Sequence, residues 1–547
     1  MSSYFRIITS YIFLIWYLFI ILIAYLGFVE ILLKFRKRRI LWKKAQDKPD
    51  NDQYEGVTII RPIKGIDPEL SSCLESSFCQ TYPNSKLQIL FCLDDPLDPA
   101  IPIIKQLIKK YPNIDSQILI SENFNQLTKT SDDHYGPNPK VNNLAKGFVH
   151  AKYDILWIMD SNVWASSNIL KNSVITLNQN LNNGRQCSGD RKVKLVHHIP
   201  LALSISKKTN QQTVEQEDDL EYGLTPQQSD ESDDNTSSSS LSNSSSANVH
   251  SGVAKRKSPS RKKISHTIEP EQVPAKPTRF LDKLGAKLDE MFLHTSHSKF
   301  YVALNNVAIA PCVNGKSNMY RRSELDHAVS LIPVNDSPFF QDPMVKQQAK
   351  YYSSLGPGHS IKFFARYIGE DNMIGIALWE NCLARTGLTG DVVVQPIIES
   401  NNTVNDYIQR RVRWLRVRKY MVLLATLIEP TTESLICGAF GTFAVSTIFL
   451  DCWFYWGWFV GHMIVWLITD YIQYHTLTSH VTDASEVSYM PTWLRYKRTG
   501  TIKDFLRVWI VRECLALPIW IMAMIGHEID WRGRPFMIKK DLTAEEM

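Results

Sequence analysis

The sequence predicts an α/β catalytic domain with membrane helices at both ends. Two apolar runs of strand length, Leu87–Leu93 and Ile155–Met159, each lead directly into an aspartate. Strands that are buried on both faces of a parallel sheet have this composition, and ligands bind beyond their carboxyl ends. Longer uncharged runs, Tyr11–Val29, Ser434–Leu450 and Trp453–Thr469, approach the roughly 20 apolar residues that cross a bilayer.

Length, net charge and cysteine pattern limit the classes of protein to which this chain can belong. The 547 residues carry a net charge of +6 and nine cysteines, and this length allows roughly two to four domains. The cysteines form no C-x-x-C pattern, which favours a reducing compartment over a disulfide framework. Because the charge is modest and apolar runs lie on both sides of the domain, the sequence does not indicate nucleic-acid binding.

Changes in composition divide the chain into six segments. We predict, in order, an N-terminal transmembrane anchor (1–33), a basic juxtamembrane linker (34–55), the first half of the catalytic domain (56–206), a disordered insert (207–276), the second half with an interfacial helix (277–420), and a C-terminal membrane region with a tail (421–547).

The residues after the N-terminal run indicate its orientation. They include a basic cluster of Lys34, Arg36, Lys37, Arg38, Arg39, Lys43 and Lys44. By the positive-inside rule, the chain that follows the anchor lies in the cytosol. The alternative, a cleaved signal peptide, is disfavoured, because the apolar core of a signal peptide is shorter and its basic residues precede that core.

The first half of the catalytic domain contains three candidate binding positions. Lys64 follows the first predicted strand, in a turn with proline and glycine, and either meets a nucleotide or is a solvated turn residue. Lys140 lies where a polar loop enters a helix. That segment is either an anion site or a helix cap made by Asn138 or Asn142. Asp160 either points at a ligand or caps the next helix.

The insert at 207–276 is rich in Gln, Ser, Asp, Glu and Lys and has almost no aromatic residues. Such a segment cannot bury enough apolar surface to offset its ordering entropy, so we predict disorder. A passive linker and a phosphorylated regulatory insert are both compatible with it.

The second half of the domain contains a carboxylate pair and a basic helix. Glu370 and Asp371 open a predicted helix, where a carboxylate either stabilises the helix N-terminus or acts as a general base. The helix Tyr407–Tyr420 either lies on the anionic cytosolic leaflet or places Arg413 and Trp414 against a ligand.

The C-terminal region predicts a membrane hairpin whose two apolar runs are separated near Asp451. The final run, Val508–Ile525, contains two charged residues and a proline. Because charges are costly in a bilayer, a full span and a tilted, re-entrant or interfacial segment remain equally open.

Taken in order, these motifs resemble a known family. Three separate aspartates, Asp95, Asp160 and Asp371, are followed by an Arg-x-x-Arg-Trp motif that comprises Arg410, Arg413 and Trp414. This pattern is similar to the family 2-like, type A glycosyltransferases, and in particular to the ceramide glucosyltransferases. The resemblance covers most of the chain except the insert, which fits fungal-type members. It implies a type A (Rossmann-like) nucleotide-sugar glycosyltransferase domain plus transmembrane or interfacial helices.

The resemblance also implies roles for individual residues. Asp371 would be the catalytic base, while His297 and Cys312 would lie on the acceptor side. The positions implied to bind the nucleotide sugar are Lys64, Asp95, Lys140, Asp160, Arg410, Arg413 and Trp414. Asp160 takes the place of the family's metal aspartate, for Mn or Mg. Here the motif reads Asp160-Ser161-Asn162, and because Asn162 offers only a neutral oxygen, a divalent cation is less strongly indicated than by Asp-x-Asp.

The implied reaction is inverting transfer of glucose from UDP-glucose to ceramide, at the cytosolic face of the Golgi membrane in a multi-pass protein. The partners would be UDP-glucose, ceramide and membrane lipids. One alternative is a processive polysaccharide synthase of the chitin or hyaluronan type, although Arg410 replaces the usual Gln and the spans are few. Another is a catalytically inactive scaffold with a transferase fold, against which the complete set of motifs argues.

Overall fold

A mixed β-sheet lies at the centre of the part of the chain that the structure describes. The computed structural model describes residues 2–36, 54–128, 131–206, 280–485, 488–495, 497, 500–531, 534–539 and 542–547. These residues fall within one compact unit. The predicted insert and most of the basic linker lie outside them.

The elements are as follows. The strands are β1 (Val57–Pro62), β2 (Leu87–Leu93), β3 (Asp115–Ile120), β4 (Ile155–Met159), β5 (Trp164–Ala165), β6 (Leu181–Asn182), β7 (Arg185–Gln186), β8 (Lys192–Ile205), β9 (Ser317–Arg321), β10 (Ala384–Ile398), β11 (Glu528–Trp531), β12 (Arg534–Ile538) and β13 (Ala544–Glu546). The helices are α1 (Ser2–Phe35), α2 (Leu70–Phe78), α3 (Ile101–Lys110), α4 (Pro139–His150), α5 (Ile169–Asn178), α6 (Phe280–Phe292), α7 (Ser298–Val307), α8 (Arg322–Ser330), α9 (Pro343–Ser354), α10 (Glu370–Asn381), α11 (Val404–Met421), α12 (Leu423–Ile428), α13 (Ser434–Phe449), α14 (Trp456–Thr482), α15 (Thr492–Arg495) and α16 (Ile502–Ile525). Short 3-10 segments lie at Asn84–Lys86, His359–Arg366, Glu399–Asn401 and Glu429–Thr432, and one π-helical turn at Leu293–His297.

Among the described strands, eight form one sheet in the order β3-β2-β1-β4-β9-β8-β10-β5. Strands β1 to β4 are parallel to their neighbours within this group, whereas β9 runs antiparallel to β4, with Met159 opposite Ser317. The carboxyl ends of β1, β2 and β4 therefore share one edge of the sheet with the amino end of β9. This edge is where ligands bind in open α/β sheets.

Both faces of the central strands are buried, as the apolar runs predict. On one face, Ile59 and Trp157 pack with α2, α3 and α5. On the other face, Ile60 and Ile158 pack with α4 and with α8 to α10. The indole of Trp157 donates to Ser317 Oγ over 2.9 Å, which ties β4 to β9 inside the core.

The described chain contains two helices that are long and apolar enough to cross a membrane, Tyr4–Phe35 and Ile502–Ile525. A third candidate is the bent pair Leu423–Thr432 and Ser434–Phe449, whose parts meet at 74°. The final apolar run is thus a continuous helix, α16. Its two charged residues are paired inside the protein, since the Arg512 side chain contacts both Glu433 and Glu513.

The two arms of the predicted C-terminal hairpin correspond to α13 and to the amino-terminal half of α14, and these helices contact each other. Within the second arm, Trp453–Thr469, residues 456–469 form the amino-terminal half of α14. Helix α14 is not among the candidate membrane spans found in the described ranges. Five buried polar residues lie on this helix: His462, Asp470, Gln473, Thr478 and His480. His462, Asp470 and Gln473 face protein partners, whereas Val460, Ile464, Val465 and Ile468 on the same helix are half-exposed. Helix α14 thus has a polar side against the protein and an apolar outer side, and its place in a membrane stays a prediction.

Candidate active site

Asp160 lies between two lysines at the carboxyl edge of the sheet. Lys140 Nζ is 2.9 Å from Asp160 Oδ1, and Lys316 Nζ is 3.0 Å from Asp160 Oδ2. Each of the three side chains is about one-fifth exposed. Burial alone would raise the pKa of Asp160, but the two ammonium groups outweigh it and hold this pKa at about 2. Asp160 is therefore a carboxylate throughout the physiological pH range.

Local structure explains how these three residues meet. Asp160 follows the buried strand β4, and its N–H donates to the Lys316 carbonyl at the start of the antiparallel strand β9. Lys140 is in the first turn of α4, which Asn138 caps by accepting from the N–H groups of Lys140 and Val141. The sequence left two interpretations of this loop open, an anion site and a helix cap. The structure contains the helix cap, made by Asn138. This cap also directs Lys140 towards the site.

Glu370 and Asp371 lie on the other side of Lys140, at the first turn of α10. Lys140 Nζ is 3.0 Å from Glu370 Oε1 and donates to the Gly315 carbonyl over 2.9 Å. Gly315 touches both neighbours: a Cβ at this position would lie 3.1 Å from Asp371 Oδ2 and 3.1 Å from Lys140 Nζ. The structure thus brings the second and third motif aspartates to one lysine.

The carboxylates of Glu370 and Asp371 have different surroundings. The Asn138 amide donates to Glu370 Oε2 over 2.9 Å, so both oxygens of Glu370 are engaged. Burial and the neighbouring Glu370 raise the pKa of Asp371 to about 7, although Lys140 acts in the opposite direction. A carboxylate with this pKa can accept a proton near neutral pH, which is the property required of a general base.

The first motif aspartate follows β2 on the same edge. Asp95 Oδ1 accepts from the Leu97 N–H over 2.8 Å and from the Gln126 amide over 2.7 Å. Its neighbour Asp94 is instead fixed by Lys146, whose Nζ lies 3.3 Å away. Lys64 is exposed in the loop after β1. One strand, β1, lies between β2 and β4, so the axes of the strands that lead into Asp95 and Asp160 are roughly 10 Å apart.

The Arg-x-x-Arg-Trp motif lies on α11, and its members face different neighbours. Arg410 pairs with Asp289 of α6 and donates to Asn402 Oδ1 over 2.8 Å. Arg413 and Trp414 are half-buried. Helix α11 packs against Gly369, the residue before the carboxylate pair, since a Cβ on Gly369 would lie 3.2 Å from a methyl carbon of Val417. The predicted ligand role of Arg410 stays a prediction, and in this structure its guanidinium joins α11 to α6.

His297 and Cys312 both lie near Tyr301, in the neighbourhood of Asp371. The His297 ring is 5.2 Å from the Tyr301 ring in a stacked arrangement, and its Nδ1 has no hydrogen-bond partner among the described residues. Burial, together with Arg411 and Arg418, lowers the pKa of His297 to about 3, so the imidazole is neutral. Burial likewise raises the pKa of the Cys312 thiol, which does not favour a reactive thiolate.

The sequence also matches the profile of glycosyl transferase family 21 over residues 18–204 and 358–544, more than half of the chain. The chain belongs to glycosyl transferase family 21. It is 65% identical to a ceramide glucosyltransferase from Candida albicans over 100% of this chain and 99% of that protein. Ceramide glucosyltransferases from Komagataella phaffii and Gibberella zeae are 44% and 34% identical, over 98% and 89% of this chain and 91% and 85% of those proteins.

Membership of family 21 confirms the resemblance drawn from the motifs and the predicted fold class. The protein is a glycosyltransferase with a type A catalytic domain, and its candidate membrane helices fit a membrane-associated enzyme. The roles of the individual site residues remain predictions. The distances given above identify the neighbours through which each of these residues would act.

The site of this family 21 member does not fit a divalent cation as it stands. Hard cations such as Mg²⁺ or Mn²⁺ take about six oxygen ligands. Both oxygens of Asp160 face ammonium groups, and Asn162 Oδ1 accepts from Lys316 at 3.4 Å. Within the described ranges, no three His, Cys, Asp or Glu side chains are grouped to hold a metal ion. The chemistry below is therefore derived without a cation.

Sequence reasoning missed two residues that shape the site. Arg61 is fully buried, and its guanidinium donates to the Asp160 carbonyl over 2.6 Å and to the Val163 carbonyl over 3.0 Å, which fixes the turn that presents Asp160. An arginine inside an otherwise apolar strand was the available signal. Lys316 offered none, because its position depends on the antiparallel pairing of β9 with β4.

Proposed function

We propose that the protein transfers glucose from UDP-glucose to the primary hydroxyl of ceramide, with inversion, giving β-glucosylceramide and UDP. The family assignment and the full-length similarity to proteins named ceramide glucosyltransferases support this proposal. The candidate membrane helices support a lipid acceptor, because such an alcohol approaches the enzyme from the bilayer.

The observation that carries the proposal is Asp371, set against Gly315 and near Lys140 with a pKa of about 7. In a single displacement, the acceptor oxygen bonds to C1 of glucose while the bond from C1 to the β-phosphate oxygen breaks. Asp371 takes the hydroxyl proton, and UDP leaves with the bonding electron pair. One base suffices, because no covalent glycosyl-enzyme forms.

The donor in this proposal lies along the carboxyl edge of the sheet. Asp95 and Lys64, after β2 and β1, bind the nucleotide end. Lys140 and Asp160 lie at the diphosphate, one strand further along, which brings C1 of the sugar towards Asp371. The order of the strands thus follows the order of the parts of the donor.

The acceptor approaches from the side of α11. Arg413 and Trp414 lie between donor and acceptor in this proposal, and His297 and Cys312 line the acceptor side. Because His297 is neutral, it contributes a ring surface and a hydrogen bond and no charge. The basic cluster after the N-terminal apolar run supports a catalytic domain in the cytosol, and the family resemblance supports the Golgi membrane. A polysaccharide synthase is less favoured, since the described chain has only two or three candidate spans for a channel.

A matrix of donors and acceptors tests the proposal. The full chain in detergent is incubated with UDP-glucose, UDP-galactose, UDP-N-acetylglucosamine or GDP-mannose, each with short-chain ceramide, diacylglycerol or no lipid, and the products are analysed by mass spectrometry. We expect hexosylceramide from UDP-glucose and ceramide at a rate at least tenfold above any other pair. A polymer made without lipid, or a faster reaction with diacylglycerol, contradicts the proposal.

A further inference from the structure

We propose that Lys140 and Lys316 together bind the diphosphate of the nucleotide-sugar donor in place of a divalent cation, with Asp160 holding both lysines in position. This inference rests on the proposed function only for the class of donor. It assigns Lys316 to the donor site and reassigns Asp160 from a metal ligand to a positioning residue.

The geometry of Asp160 is the first argument. Its two oxygens are each taken by a different ammonium group, at 2.9 Å and 3.0 Å, and the lysines come from α4 and from the start of β9. A cation on Asp160 would have to displace one of them and lie close to the other. Lysines tethered to two rigid elements are not easily displaced together.

The charge of the cluster is the second argument. Two ammonium groups carry the charge of one divalent cation, and lysine serves as a point-charge ligand of phosphate in other nucleotide sites. Lys140 also has Glu370 and the Gly315 carbonyl as partners, so it is held while the donor binds. The three N–H groups of Lys140 face Asp160, Glu370 and the Gly315 carbonyl, so Lys140 acts on the diphosphate through its charge. Lys316 contacts Asp160 and Asn162 and is about one-fifth exposed, so it supplies the N–H donor to a phosphate oxygen.

The sequence motif is the third argument. A second carboxylate would be expected two residues after Asp160 if a metal were bound there, but the residue is Asn162. The Asn162 oxygen instead accepts from Lys316 over 3.4 Å. Asp160 and Asn162 of this turn therefore both contact a lysine, whereas Ser161 between them donates to Asp67 Oδ2 over 2.7 Å.

The test is UDP binding to the full chain in detergent, measured by isothermal titration calorimetry in EDTA and again with Mn²⁺. We expect wild-type affinities that agree within about twofold between the two buffers. Lys316→Met, which keeps the length of the side chain, should weaken binding at least tenfold in EDTA, whereas Lys316→Arg keeps the charge and should stay within about threefold.

The matched control is Lys194→Met. Lys194 Nζ is 2.8 Å from Glu324 Oε2, with exposure similar to that of the Lys316 pair, but it lies at the start of β8. This variant should bind UDP as wild type does. A similar melting temperature for all variants separates lost binding from lost folding.

The outcomes separate this inference from the proposed function. UDP binding that requires Mn²⁺, or a Lys316→Met variant with wild-type affinity, overturns the inference and leaves the glucosyltransferase proposal in place. No UDP binding in either buffer overturns the proposed donor, and the inference with it.

Discussion

Lys140 and Asp160 join the first turn of α4 to the end of β4 through a 2.9 Å contact, and the same ammonium group lies 3.0 Å from Glu370. One lysine thus connects the donor-side aspartate with the turn that carries the proposed base. Because each element arrives from a different part of the chain, the geometry of the reaction depends on how α4, β4 and α10 pack.

Replacing the proposed base should abolish transfer and spare donor binding. For Asp371→Asn we expect kcat to fall by about 10²- to 10⁴-fold, the usual contribution of a general base. UDP affinity should stay within a few-fold, because Asp371 does not bind the nucleotide in this account. The control is Asp342→Asn, since Asp342 caps α9 and Asn is an equally good cap. Comparable losses in both variants would contradict the assignment.

The pH dependence of kcat/KM should report the same carboxyl group. Burial and Glu370 raise the pKa of Asp371 to about 7. Below that pH the base is protonated and cannot accept the hydroxyl proton, so the rate should fall tenfold per pH unit on the acid side. Glu370→Gln removes a negative charge that raises this pKa, so the acid limb should move to lower pH. An acid limb at the same pH in both proteins would exclude Asp371 as its source.

Gly315 should tolerate no side chain without loss of activity. A Cβ there would lie 3.1 Å from both Asp371 Oδ2 and Lys140 Nζ, so these groups must move by a few tenths of an ångström. We expect Gly315→Ala to lower kcat by about tenfold, since small displacements of reacting groups are costly. Gly461→Ala, where nothing lies within 4 Å of the new Cβ, is the control and should be neutral. A fully active Gly315→Ala enzyme would argue against a tight site.

The ion pair between Lys299 of α7 and Asp470 of α14 should be critical for folding. Its atoms are 2.7 Å apart with 2% and 1% of the side chains exposed, and the Trp509 indole donates to Asp470 Oδ2 over 2.9 Å. Removing one member of a buried pair costs about 3–5 kcal/mol. Asp470→Ala should therefore lower the melting temperature markedly, whereas Asp451→Ala should have little effect, because Asp451 is exposed in its pair with Arg6. Equal melting temperatures would contradict this prediction.

The central strands could be predicted to the residue. Leu87–Leu93 and Ile155–Met159 are β2 and β4 with the same bounds, because strands buried on both faces leave a continuous apolar signature. Such apolar runs involve only residues that are neighbours in the sequence, so they can be recognised without knowledge of the tertiary structure.

The parts that depend on long-range packing could not be predicted. Nothing local marks Lys316 as a neighbour of Asp160, since the contact arises from the antiparallel register of β9 on β4. In the same way, Arg410 fits a ligand-binding motif but meets Asp289, which lies on α6 far away in sequence. The burial of Asp470, which makes α14 a packed helix, is likewise a tertiary feature.

The measurement that most directly tests the central claim is the anomeric configuration of the product, determined by proton NMR on lipid made from UDP-glucose and short-chain ceramide. A single displacement assisted by Asp371 inverts the α-linked donor, so the account predicts β-glucosylceramide from the wild-type protein and almost none from Asp371→Asn. An α-linked product, or β-glucosylceramide made equally well by the Asp371→Asn variant, would contradict it.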